Sequence, residues 1–319
     1  MFVKLDPQVQ LLLCCALCKG SLESREDAFV CNDCAMRFPR RTIARGHGAE
    51  HIYDFRVDRP AYCVPEGTAV WDRVQNRFEG DDRWHSSVDD RDTYLAEIES
   101  VREVYTEQFS IRGRVLDVGG HQGRLRHFLA AEEVPMYVSV DPYLDAFRDL
   151  DTHPNLLSAY PKLRDPCNFL ACHAERLPFQ ARVFDWVHMR SVLDHFEDPY
   201  VAVREAFRVL RSTGSLLVGL TVRGPRSTSN DEAAGHRAEE RKPLAARVAR
   251  KLSREGFGGL LRLVDPRRRG VTRDGRDHTF HWRYEDLIDL VTRCEYATVK
   301  EHWQKPPYSS VIYLQARKR

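Results

Sequence analysis

Four cysteines carry the most specific spacing in the chain. Cys15-x2-Cys18 and Cys31-x2-Cys34 are two knuckles separated by twelve residues, and a turn of that kind brings two thiolates toward one point. Together the four complete a closed tetrahedral zinc site. With no open coordination position, such a site is structural and not catalytic. Two disulfides, or four separate core cysteines, are the alternative, which a reducing compartment disfavours. Cys14 would stand three residues from Cys18, so Cys15 is the preferred ligand. Cys63, Cys167, Cys172 and Cys294 are scattered among the nine cysteines and read as small apolar fillers.

A second chemistry lies in the run Val115 to Arg124, V-L-D-V-G-G-H-Q-G-R. An apolar strand passes through an acid, Asp117, into a turn containing Gly119, Gly120 and Gly123, and a helix is expected from Arg124 to Glu132. Glycines there permit positive φ and let backbone amides approach a mononucleotide-type ligand at the tip of a strand. A dinucleotide fold would need G-x-G-x-x-G, which this loop lacks. Asp117 would repel a pyrophosphate but suits an ammonium group, held directly or through water. Downstream, Met136 to Val140 reads as a second strand ending in Asp141, where such folds place an acid for ribose hydroxyls.

A third candidate is His195, which follows the strand around Phe184 to Arg190 and so falls at the carboxyl edge where open α/β sheets hold ligands. It is the candidate general base, with Asp194 beside it to orient it or to repel anionic substrates. A histidine that merely packs a loop or starts a helix is the competing reading. His121 and His281 are the other imidazole candidates.

These residues need elements to position them. Residues 1–58 read as a ribbon with short strands such as Ala28 to Cys31 and basic residues at Arg37, Arg40 and Arg41; so short a segment buries little apolar surface, and metal would supply its stability. Residues 59–110 read as a helical linker or cap, with Tyr94, Leu95, Ile98, Val101, Tyr105 and Phe109 forming an apolar stripe. Trp71 and Trp84 upstream are expected to anchor hydrophobically. Residues 111–319 form the main α/β domain. After the fifth strand, 223–280 interrupt it, with twelve Lys or Arg against three acids between Arg241 and Arg276. Leu244, Val248 and Leu252 share one face of a basic amphipathic helix there, expected to be a solvated lid. Nucleic-acid contact, with Arg267, Arg268 and Arg269 as phosphate candidates, and contact with a membrane surface or acidic partner are the alternatives. A helix over Tyr284 to Arg293 and strands over Ala297 to His302 and Ser310 to Gln315 close the fold.

The glycine loop resembles motif I of the class I S-adenosylmethionine-dependent methyltransferases, D-x-G-x-G-x-G, with His121 in place of the middle glycine. Further blocks follow in the order of that family. His173 to Phe179, H-A-E-R-L-P-F, resembles its D-A-E-x-L-P-F turn, which borders adenine. Phe184 to Phe196 is similar to its fourth strand and following loop, and Ala206 to Leu217 to its helix, tight turn and fifth strand. The resemblance spans residues 111–222. It implies a Rossmann-like seven-stranded α/β sheet whose last strand runs antiparallel between its neighbours. It also implies an S-adenosylmethionine site formed by Asp117, Gly119, Gly120, Gly123, Asp141, His173, Ala174, Glu175 and Arg190. The N-terminal segment resembles zinc ribbons on some bacterial methyltransferases, including enzymes acting on ribosomal RNA; in those the second knuckle ends in histidine, where Cys34 stands here.

Composition bounds the rest. The chain has 319 residues, 42% hydrophobic and 30% charged, with a net charge of +2, too near zero to identify a partner by itself. No run reaches the length of a membrane span, and a cytoplasmic protein is expected. The turn after strand four lacks the N/D-P-P-Y/F of amino-group methyltransferases, Pro306-Pro307-Tyr308 lies far from it, and no cysteine follows that strand as a cytosine-C5 enzyme requires. No DNA base-modification signature remains. The expected activity is methyl transfer to an oxygen or nitrogen of a small metabolite or biosynthetic intermediate. An RNA methyltransferase gripping its substrate with the ribbon and basic insertion is the first alternative, and a non-catalytic cofactor- or partner-binding protein the second.

Overall fold

The computed structural model describes residues 2–45, 48–57, 89–148, 150–223, 282–305 and 310–319. Trp71, Trp84, Cys63, the basic segment Arg241 to Arg276, His281 and Pro306-Pro307-Tyr308 lie outside the described residues.

The central strands are β6 (Arg114–Val118), β7 (Met136–Asp141), β8 (Cys167–Ala171), β9 (Phe184–Arg190) and β10 (Leu210–Arg223). Their sequences are almost continuously apolar because both faces of a parallel sheet are covered; all five residues of β8 are buried. Two later strands, β12 (Tyr296–Trp303) and β13 (Val311–Lys318), complete a run in the order β12-β13-β10-β9-β6-β7-β8. β13 pairs antiparallel with both β10 and β12, as the family resemblance implies.

The sheet does not stop at seven strands. β1 (Val3–Lys4), β2 (Leu22–Ser24), β3 (Ala28–Cys31), β4 (Arg37–Arg45) and β5 (Gly48–Asp54) belong to the N-terminal segment, and β11 (Trp282–Arg283) pairs with β10. β7 takes one side of β8. The other side is shared, its first residues by β1 and its last by β5, both parallel. From β5 the sheet continues through β4, β3 and β2. Without this extension β8 would present unpaired backbone N–H and C=O groups, an invitation to pair with another chain.

The ribbon therefore shares its hydrophobic core with the rest of the molecule instead of standing on metal alone. Phe29, Phe38 and Phe55 lie in one cluster with Leu116, Val138, Leu170 and Phe184, and the Phe38 and Phe55 rings stack with centroids 4.6 Å apart. Lys19 fastens the first knuckle to the body: its Nζ donates to the Leu177 carbonyl at 3.1 Å and to Glu205 at 2.8 Å.

Helices cover the sheet. α1 (Pro7–Gln10) and α3 (Pro154–Ala159) are short. α2 (Arg91–Glu103) is capped by Asp90, which accepts from the Thr93 N–H, and α4 (Pro199–Val209) by Asp198, which accepts from the Tyr200 and Val201 N–H groups. α5 (Tyr284–Arg293) buries Leu287, Leu290 and Val291.

Two local expectations need correction. The helix expected from Arg124 to Glu132 is a single 3-10 stretch, Arg124–Phe128, and the chain leaves it extended at Leu129. The Arg126 guanidinium takes the carbonyls of Gln122, Gly123 and Asp165, which holds this turn short. In the stripe on α2, Leu95 is exposed. A π-helical turn, Val104–Gln108, follows the helix and shifts its register, so that Val104 and Tyr105 turn inward with Phe109.

Candidate active site and cysteine cluster

Four of the central strands, β6 to β9, deliver polar residues at or just beyond their carboxyl ends, and the loops beyond them enclose a cavity of about 320 Å³, within the usual range for small-molecule sites. Asp117 comes from β6, Asp141 from β7, Cys172 and His173 follow β8, and His188 and Arg190 come from β9. Asp117, Gly119, Gly120, Asp141, His173, Ala174, Glu175, Arg190 and His195 all line this cavity. Gly123 lies at the base of the same loop, just before Arg124.

The glycine loop owes its shape to close approach. Gly119 has φ +70° and a Cβ there would fall 2.3 Å from Val192; a Cβ on Gly120 would fall 2.5 Å from the Asp117 carboxyl carbon. His121, standing where motif I has its middle glycine, also takes a left-handed backbone at φ 48°. Its ring stacks on Tyr143, centroids 5.6 Å apart.

Asp117 is 3% exposed and both its oxygens are engaged. Oδ1 accepts from His188 Nδ1 at 2.7 Å, and Oδ2 accepts from the Tyr137 hydroxyl. His188 Nε2 in turn lies 2.8 Å from the Tyr105 hydroxyl. Sequence inspection gave His188 no role and Tyr105 only a place in the apolar stripe. The available signal was a lone histidine in the apolar strand F-D-W-V-H-M-R, since a polar group buried inside a parallel sheet requires a partner.

Asp141 Oδ1 accepts from the Tyr143 N–H at 2.9 Å, which fixes the carboxylate at the strand tip. Glu175 Oε1 accepts from the N–H groups of Glu197 and Asp198 at 2.9 and 3.2 Å, tying the turn after β8 to the loop that carries His195. Burial pushes the Glu175 carboxyl up to about 7, against the pull of these backbone donors. Arg190 shares the Glu97 carboxylate with Arg124, at 3.5 and 3.0 Å. Burial works against its charge, yet Tyr313, Tyr105 and Glu97 hold it more firmly protonated than an ordinary arginine. His195 Nε2 stands 3.9 Å from Asp194 Oδ1, an ion-pair distance beyond hydrogen-bond range.

At the far edge of the sheet the four expected cysteines converge. All four sulfur atoms lie within 4.8 Å of one another. Cys15 and Cys34 are separated by 3.6 Å and Cys18 and Cys31 by 3.4 Å. These distances are far too long for a disulfide of ~2.05 Å and close to the ~3.8 Å edge of a tetrahedron with Zn–S bonds of ~2.3 Å. Each knuckle has the same turn: the N–H of Cys18 points to the Cys15 sulfur and that of Cys34 to the Cys31 sulfur, both at 3.5 Å. The next residue, Lys19 or Ala35, has a left-handed backbone in each. Burial opposes ionisation of Cys31, but the Cys34 and Asp33 N–H groups draw its thiol down to about 7. The arrangement fits zinc. Cys14 and Cys294 are buried fillers, Cys172 is buried in the cavity wall, and Cys167 is the buried first residue of β8.

Comparison with protein families matches residues 116–218 to the family described as methyltransferase domain. Comparison with curated proteins gives no match. Among solved structures, a Pyrococcus horikoshii protein is 17% identical, with 71% of this chain and 91% of that chain covered and a TM-score of 0.45. The 1,6-didemethyltoxoflavin-N1-methyltransferase of Burkholderia thailandensis, solved with 1,6-didemethyltoxoflavin and S-adenosylhomocysteine, is 15% identical over 82% of this chain and 93% of that one, TM-score 0.46. A SAM-dependent methyltransferase of Methanosarcina mazei is 17% identical over 67% and 96%, TM-score 0.42.

Proposed function

Taking the chain as an enzyme with a methyltransferase domain at residues 116–218, we propose that it transfers a methyl group from S-adenosylmethionine to an oxygen or nitrogen of a small metabolite or biosynthetic intermediate. The observation that carries this reading is the convergence of the glycine loop, Asp141 and the turn His173 to Glu175 on one cavity at the carboxyl ends of the strands. The cofactor would supply an electrophilic methyl group on a sulfonium sulfur. Asp141 would accept from its ribose hydroxyls, the glycine loop would cradle its amino-acid portion, and His173 and Ala174 would border its adenine.

Methyl transfer asks the protein chiefly to align the acceptor and to exclude water. Phe196, Phe128 and Tyr160 in the cavity wall suit that exclusion, and His195 on the same wall would meet the acceptor's polar group. A small-molecule acceptor is favoured over RNA because four of the ribbon's six arginines are already matched with acids: Arg25 with Glu23, Arg37 with Asp27, and Arg41 and Arg56 with Asp54. Zinc held by Cys15, Cys18, Cys31 and Cys34 would act structurally, fixing the ribbon that covers the edge of β8. Among the described residues no helix is long and apolar enough to cross a membrane.

The test is incubation of the purified protein with methyl-labelled S-adenosylmethionine and a cell extract, followed by separation into RNA, protein and small-molecule fractions. Label in small molecules is expected. Label that ribonuclease removes would make RNA the substrate, with the ribbon and the segment 223–280 as its grip. Cofactor binding without label in any fraction would favour a non-catalytic binding protein.

A further inference from the structure

From the cavity wall a line of polar groups runs into the sheet. The Tyr105 hydroxyl is 2.8 Å from His188 Nε2, His188 Nδ1 is 2.7 Å from Asp117 Oδ1, and Asp117 Oδ2 accepts from the Tyr137 hydroxyl. The four side chains come from the π-helical turn after α2, from β9, from β6 and from β7, and none is more than 8% exposed. Tyr105 and His188 both line the cavity.

The chemistry of the partners orients the line. An ionised carboxylate only accepts, so the proton between Asp117 and His188 sits on Nδ1 and Nε2 is left with its lone pair. The phenol must then donate to Nε2, which leaves the oxygen of Tyr105 as an acceptor. A carboxylate that fixes the tautomer of an imidazole, which in turn faces a hydroxyl, is the arrangement by which proteins build an oriented base.

We propose that Tyr105 accepts the proton lost by the methyl acceptor, with His188 taking the proton that Tyr105 gives up and Asp117 as the positioning residue that orients His188. The proposal rests on the methyl-transfer reading and deepens it, since it calls for an acceptor that gives up a proton, a hydroxyl or a protonated amine. As the acceptor's oxygen or nitrogen bonds to the methyl carbon, the carbon–sulfur pair stays on sulfur and the acceptor's O–H or N–H bond breaks. That proton passes to the Tyr105 oxygen while the proton of Tyr105 moves to His188 Nε2. The imidazolium so formed is stabilised by Asp117, and its proton returns to water after the products leave.

The surroundings agree. Burial holds the Tyr105 phenol well above its usual range, though Arg190 opposes this, so at rest it is protonated and a donor. The charged and titratable groups facing the line are Arg190 and Tyr313 beside Tyr105, and Arg126 and Cys167 beside Tyr137. The Phe128 ring packs beside Tyr105, centroids 5.1 Å apart.

Two measurements on the full chain test this. The first is nitrogen NMR of histidine in protein saturated with S-adenosylhomocysteine, between about pH 6 and 9, where imidazoles change protonation. The expected spectrum has His188 protonated on Nδ1 and bare on Nε2 at the upper end, with Tyr105→Phe shifting the Nε2 resonance alone; a proton on Nε2 there overturns the proposal. The second uses the fraction that the wild-type protein labels. Tyr105→Phe and His188→Gln are expected to lower kcat roughly 100-fold and to change its pH profile, with affinity for S-adenosylhomocysteine held within about twofold. A loss confined to binding and stability, with the pH profile unchanged, would make the line a structural tie. Full activity of Tyr105→Phe with an inactive His195→Ala would move the proton to His195. Wild-type protein that binds the nucleoside yet labels nothing would remove the methyl-transfer reading and the relay with it, whereas labelling undiminished in Tyr105→Phe removes the relay alone.

Discussion

At one edge of the sheet four sulfur atoms converge from a single stretch, Cys15 to Cys34, and the turn that shapes each knuckle is built by neighbouring residues. At the carboxyl ends of the central strands, Asp117, His188 and Tyr105 meet from three elements, and the Tyr105–His188 contact spans 83 positions. The ribbon's geometry is local and the cavity's is not. The ribbon should therefore fail as a unit when one ligand is lost, while the cavity should lose its functions one side chain at a time.

Cys31→Ser tests the first half most severely. It should take the metal content to near zero and cost on the order of 5 kcal/mol or more, since structural zinc contributes ~10–16 kcal/mol in small domains. A variant retaining full metal by elemental analysis would refute the four-cysteine site. Phe55→Ala asks whether ribbon and sheet share one core. With its ring fully buried against Phe38, the loss should be about 3–5 kcal/mol in a single cooperative denaturant transition. Two separated transitions would mean that the ribbon unfolds by itself.

In the cavity, Asp141→Ala should weaken S-adenosylmethionine binding by roughly 1–3 kcal/mol, as expected when hydroxyls lose a charged acceptor, with little change in melting temperature. Unchanged affinity by calorimetry would place the cofactor elsewhere. The smallest effect is expected at Glu175, whose carboxyl is pushed up to about 7. A raised carboxyl favours the folded state fully below its unfolded value, ~4.3, and that advantage disappears as pH rises through 7. Glu175→Gln keeps an oxygen for the Glu197 and Asp198 N–H groups but cannot ionise. It should therefore gain on wild type by roughly 1 kcal/mol at pH 8 and by little at pH 4.5; melting curves that stay parallel across that range would contradict the assignment.

What could be read from the sequence follows the same divide. The knuckles, the glycine loop, β3 and the acids at the ends of β6 and β7 are encoded by spacing or by strand periodicity within a few residues, and the structure places them as expected. The methyltransferase-domain match over residues 116–218 and the sheet order were legible because several such blocks recur in a fixed sequence. The engagement of Asp117 with His188 and Tyr137 was not, because nothing near Asp117 in the chain specifies which strand will lie beside it. The π-helical turn also escaped, although Tyr105 belongs to the expected buried face, since a 3.6-residue period runs through Tyr94, Ile98, Val101 and Tyr105 and gives no sign of a change of register. The docking of the ribbon on β8 depends on pairings such as Tyr53 with Leu170, which no local pattern announces.

That last pairing sets an order of events at the ribosome. The knuckles can close as soon as Cys34 has emerged, but β1 and β5 must wait for β8, whose residues follow only after more than a hundred others. At roughly 5–20 residues per second, the wait lasts several seconds to tens of seconds. During it the ribbon strands and Phe55 face the translation machinery without their partner. A chain arranged in this way folds late at its own beginning, and holding the knuckles shut early would shorten the list of wrong partners that this edge could meet.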